Sequence, residues 1–81
     1  MKERIRTFLE EEILDGGGAG LGDEDDLLLG GLVDSIGLMR LIAFLEESCR
    51  ITVPPEDVTI ERFRSISSIA AYLSERGARD E

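Results

Sequence analysis

An all-α fold, a small bundle of three main helices with a short fourth, follows from three features of the sequence. Apolar residues recur at three- and four-residue steps in three separate stretches. No stretch alternates apolar and polar residues for long enough to make a useful strand, and Ile51-Thr52-Val53 is too short to argue a sheet. The 81 residues include one cysteine, Cys49, so no internal disulfide staples the fold. A chain this short without staples folds most simply as close-packed helices.

The spacing predicts a first helix over Met1 to Leu14, with Ile5, Phe8, Leu9 and Ile13 on one face and Gly16-Gly17-Gly18 stopping it. A long loop to about Asp34 follows, its glycines at 16, 17, 18, 20, 22, 30 and 31. Loops of this length in compact domains often carry function. Leu27, Leu28, Leu29, Leu32 and Val33 are expected to pin its second half to the core. A second helix begins at Asp34 or Ser35, either of which can be the N-cap. Its inner stripe is Leu38, Leu41, Ile42, Leu45 and Cys49, and its other face carries Ile36, Met39, Arg40, Ala43, Glu46 and Glu47. Ile36 and Met39 are apolar where a solvated face would be polar. Pro54-Pro55 closes the next loop, and Pro55 or Glu56 opens a short helix through about Phe63. Ser65 caps a last helix with Ile66, Ile69, Ala70 and Leu73 inward. Gly77 ends it before a charged, frayed tail over 77–81. The chain reads as one domain over 1–81, with its core at about 3–76.

Nine basic and 18 acidic residues give a net charge of -9. Nucleic-acid phosphates would be repelled, and basic protein partners favoured. No run approaches the roughly 18 apolar residues of a membrane span. The charged opening Met1 to Arg6 is unlike a signal peptide. The expectation is a cytoplasmic monomer that binds neither nucleic acid nor membrane.

Catalytic chemistry is poorly supplied. The chain has no histidine, so Ser-His-Asp and Cys-His systems cannot be assembled within it, and zinc lacks its usual ligands. Lys2 is the only lysine, and the glycine run at 16–20 lacks the Lys-Ser/Thr ending of a P-loop, which makes it a flexible connector. The cluster Asp23-Glu24-Asp25-Asp26 fails the EF-hand pattern. From Asp23, loop positions 6 and 12 hold Leu28 and Asp34; from Asp25 they hold Gly30 and Ile36. A solvated acidic loop is expected, with no metal. Cys49 falls on an apolar stripe and reads as a small core residue.

Gly31-Leu32-Val33-Asp34-Ser35-Ile36-Gly37-Leu38 remains. Read as residues alone, Ser35 is a serine at a helix start, and its plainest role is as an N-cap. The position also suits a phosphate ester, since the free N–H groups and dipole of a helix N-terminus favour negative charge.

Asp34-Ser35-Ile36 resembles the Asp-Ser-Leu signature of the acyl and peptidyl carrier protein family. The likeness extends in order through Asp26-Leu27, Asp34-Ser35, Glu46-Glu47, Ile51-Thr52-Val53-Pro54, Thr59 to Phe63, and Ile66 through Tyr72, about residues 3 to 76. The resemblance implies a carrier, not an enzyme. Coenzyme A and a phosphopantetheinyl transferase would place a covalent 4′-phosphopantetheine on Ser35, with Asp34 recognised by the transferase. An acyl or aminoacyl cargo would ride as a thioester between a loading enzyme and downstream biosynthetic enzymes. Ile36, Met39, Arg40, Ala43, Glu46 and Glu47 would face those partners. Two departures from the family pattern point away from fatty-acid synthesis. Gly31 lies four residues before the serine, where three is usual, and the wording resembles stand-alone carriers of aminoacyl or short acyl groups, such as D-alanine carriers. Arg40 stands where fatty-acid carriers show an acidic residue. The implied setting is a dedicated pathway, polyketide, nonribosomal peptide or related. The alternative is a cofactor-free acidic helical interaction module that uses Ser35 only as a cap.

Overall fold

The computed structural model describes residues 2–13 and 21–77. Among them are α1 (Lys2–Phe8), continued by a π-helical segment (Leu9–Ile13), α2 (Ser35–Cys49), a 3-10 turn (Pro55–Asp57), α3 (Ile60–Phe63) and α4 (Ile66–Glu75). No strand occurs among the described residues. The expected first helix is present but changes winding after Phe8. Leu14, the glycine stop at 16–18 and the connector at 16–20 lie outside the described residues, as does the tail from residue 78.

Each helix turns one apolar stripe inward. Ile5 and Leu9 come from the first helical segment, Leu41, Leu45 and Cys49 from α2, Phe63 from α3, and Ile66, Ile69 and Leu73 from α4. Burying each large aliphatic or aromatic side chain contributes about 1.5–3 kcal/mol, and this burial is the main term holding so small a chain. On α2 the buried set is Gly37, Leu41, Leu45 and Cys49, a strict four-residue step. Leu38 and Ile42, expected in the stripe, are half-buried on its flank. Arg50 ends the helix in the left-handed conformation, φ 56°.

The loop between the helical segments is tied down by backbone and acid. Leu27 N–H donates to Arg64 O at 2.6 Å, Val33 N–H to Leu27 O at 2.8 Å, and Ser67 N–H to Asp23 O at 3.0 Å. The acidic cluster is not simply solvated. Asp23 pairs with Arg6 and Lys2 of α1. Asp25 accepts from Gly22 N–H, and Asp26 accepts from the N–H groups of Leu28 and Leu29. The leucine run divides accordingly. Leu27 and Val33 are buried and Leu28 partly so, but Leu29 and Leu32 are exposed, contrary to the expectation that all five pin the loop. The turn held by Asp26 aims Leu29 outward. It needs Gly30, because a Cβ there would come within 2.4 Å of Asp26 O.

The stretch 55–63 is not one helix. Its 3-10 turn ends at Asp57, and Thr59 caps a separate α3 by accepting from Arg62 N–H at 3.3 Å. The break is fixed from α4, where the hydroxyl of buried Tyr72 donates to Asp57 at 2.6 Å. Ser65 caps α4 as expected, accepting from Ser68 N–H at 3.1 Å. Ala70 is only half-buried.

Candidate functional site: the start of helix α2

The backbone at Asp34 is extended, φ -91° and ψ -175°, and its carboxylate accepts from Gly37 N–H at 2.7 Å. Its carbonyl accepts the first helical bond, from Leu38 N–H at 2.8 Å. Asp34 is therefore the N-cap and Ser35 the first helical residue, which settles a choice the sequence left open. Because Asp34 takes the capping work, the Ser35 hydroxyl is left exposed, with no hydrogen-bond partner among the described residues.

The surrounding packing braces the helix start that bears this hydroxyl. Gly37 is buried, and a Cβ there would stand 3.2 Å from Asp34 Oδ1, Ile13 Cγ2 and Val33 Cγ1. The end of the π segment and the end of the loop thus close directly onto the α2 backbone, two residues from Ser35. Nothing in the sequence marked Ile13 and Gly37 as neighbours, since the contact joins distant parts of the chain. The result is an exposed hydroxyl on a braced helix start, beside backbone N–H groups that lack helical partners.

The other expected site residues divide. Ile36 and Met39 are 73% and 69% exposed, and Ala43 and Glu47 are exposed with them on the face away from the core. Arg40 is exposed too, its guanidinium 3.5 Å from Glu12 of the π segment. Glu46 is turned elsewhere. It is half-buried and accepts from Val53 N–H at 2.8 Å, fastening the loop after α2. The sequence reading missed exposed Leu29, Leu32 and Ile60, which add apolar surface outside α2. Their signal was weak, because an apolar residue in a loop or short helix is ordinarily assigned to the core.

Residues 3–73 match the family model described as "Phosphopantetheine attachment site". The chain belongs to this family. It is a carrier that holds a covalently attached phosphopantetheine prosthetic group, and it is not itself an enzyme. Its partners include a phosphopantetheinyl transferase and acyl-handling enzymes. Among solved structures, the carrier is similar to the holo acyl carrier protein of Nitrosomonas europaea determined in solution. The two are 24% identical, the match covers 93% of each chain, and the TM-score is 0.75, a likeness of fold. No curated protein sequence matches the carrier. The start of α2 fits the prosthetic group chemically, with a solvent-facing primary hydroxyl and partnerless helical N–H groups where a phosphodiester would sit.

Proposed function

We propose that Ser35 is the attachment point and that the protein carries an acyl or aminoacyl group in a dedicated biosynthetic pathway, polyketide, nonribosomal peptide or related. The observation that carries the site assignment is the exposed Ser35 hydroxyl at the first position of a helix whose cap is supplied by its neighbour. The other serines suit the role less well. Ser65 also stands at a helix start, but it is buried and bonded to Ser68. Ser74 is exposed but lies in the last turn of α4, where the helix dipole disfavours a phosphodiester. When bound, the arm supplies a terminal thiol that holds the cargo as a thioester. Asp34 fixes the helix start and offers its exposed carboxylate to the transferase. Ile36, Met39, Ala43 and Glu47 form the face that enzymes meet, with Arg40 selecting among them. Glu46 serves that face indirectly, through the loop it fastens.

The pathway reading rests on Arg40. Its positive charge in the middle of the α2 face opposes a partner with a continuous basic strip. A single carrier domain acting as a cytoplasmic monomer completes the reading; the lone, buried cysteine suits a reducing compartment. The test is the loading rate of the holo protein and its Arg40→Glu variant with the native loading enzyme and with a fatty-acid-type enzyme. The native rate should fall about tenfold and the fatty-acid-type rate should rise. Two unchanged rates would make Arg40 a bystander and take away the main support of the case against fatty-acid synthesis.

A further inference from the structure

A groove between the first helical segment and α2 meets the Ser35 face at the Arg40–Glu12 pair. Phe8 and Phe44 stack in it, with ring centroids 4.3 Å apart and planes inclined by 16°. Both are half-buried, so aromatic surface remains open to solvent. Glu3, Arg4, Glu11 and Glu12 border the rings around an open volume of about 620 Å³. Glu12 is engaged by Arg40, whereas Glu3 and Glu11 have no ion-pair partner among the described residues.

The chemistry of the lining narrows the occupant. Phosphate-bearing surfaces are repelled by the acidic rim and by the net charge of -9. A purely apolar ligand would desolvate the carboxylates without compensating them. An arginine satisfies both parts, because a guanidinium can lie against an aromatic face while its N–H groups pair with a carboxylate. Phe44 lies nine residues beyond Ser35, about 13 Å along the helix axis. The helical turn also carries it round from Met39 and Ala43 toward α1. A segment seated in the groove therefore leaves the Ser35 end of α2 open.

We propose that the Phe8–Phe44 groove is a second docking site, taken by an arginine-bearing, otherwise apolar segment of a partner protein. Anchoring there would raise the concentration of the carrier at that partner while the opposite end of α2 remains available to a catalytic site. The proposal is independent of which serine bears the arm.

The probe is a synthetic amphipathic helical peptide with two arginines flanking a leucine, titrated into the isotopically labelled full chain and followed by amide signals. Signals around Phe8, Glu11 and Phe44 should move. The double variant Glu3→Lys/Glu11→Lys should bind about tenfold or more weakly. Glu3→Gln/Glu11→Gln, a milder change, should weaken binding in the same direction and guards against misfolding of the first. Glu56→Lys/Glu75→Lys, on the 3-10 turn and α4, changes net charge as much as the lysine pair and should bind within about twofold of wild type. Equal losses in the two lysine pairs would reduce the effect to net charge and overturn the proposal. So would movement confined to Ile36–Met39, no binding at millimolar peptide, or equal binding of a peptide whose arginines are replaced by glutamine.

Discussion

At the scale of single residues, Asp34 takes the cap that the sequence left open between it and Ser35, and the Ser35 side chain stays exposed. The N-cap bond from Gly37 N–H to Asp34 has a price that can be measured. Asp34→Ala should destabilise the fold by about 1 kcal/mol, whereas Asp34→Asn, an equally good cap without the charge, should hold stability within about 0.5 kcal/mol. Urea unfolding checks both values. If Asp34→Asn nevertheless slows modification by the transferase, the carboxylate acts in recognition as well as in capping. Tyr72 offers a second residue-scale test. Burial first, and the bond to Asp57 second, push its phenol up to about 12 from 10. Below pH 10 both folded and unfolded chains keep the proton and the stabilisation is complete. Between 10 and 12 only the folded state keeps it, so stability falls as pH rises through that window. Tyr72→Phe should be about 1 kcal/mol less stable at neutral pH, with the difference shrinking in alkali. A constant difference in unfolding measured across that range would separate the hydrogen bond from the titration.

At the scale of elements, legibility follows the range of the interactions involved. Helix α2 was readable because its determinants are local: an Asx cap and apolar residues at four-residue steps within one stretch. The Ser65 cap of α4 was readable for the same reason. The break between the 3-10 turn and α3 was not, since it depends on Tyr72 of α4 reaching Asp57. On α2, Ile36 and Met39 are exposed as helical spacing places them, whereas Glu46, placed with them by the same spacing, is half-buried and drawn aside by a loop N–H. That difference predicts separate behaviours for the glutamate pair. Glu46→Ala should cost about 1 kcal/mol through the unsatisfied Val53 N–H, and Glu47→Ala, at an exposed position, should stay within about 0.5 kcal/mol. Thermal and urea unfolding of the two variants provide the comparison, and equal losses would contradict the assignment of Glu46 to the loop.

At the scale of the whole molecule, an acidic carrier presents a braced helix start. Some of its charge is spent internally, as Lys2 and Arg6 hold Asp23, and Arg64 approaches Asp26 at 4.0 Å. What stays outside includes the partly apolar α2 face beside Ser35, a suitable form for a protein that partner enzymes must meet briefly. We propose that this face is built around one modifiable hydroxyl. Intact mass after incubation with coenzyme A and a promiscuous phosphopantetheinyl transferase tests it most directly. Wild type should gain the mass of one 4′-phosphopantetheine, and Ser35→Ala, folded to the same helical content, should gain none; a modified Ser35→Ala, or a wild type that is never modified, would contradict it.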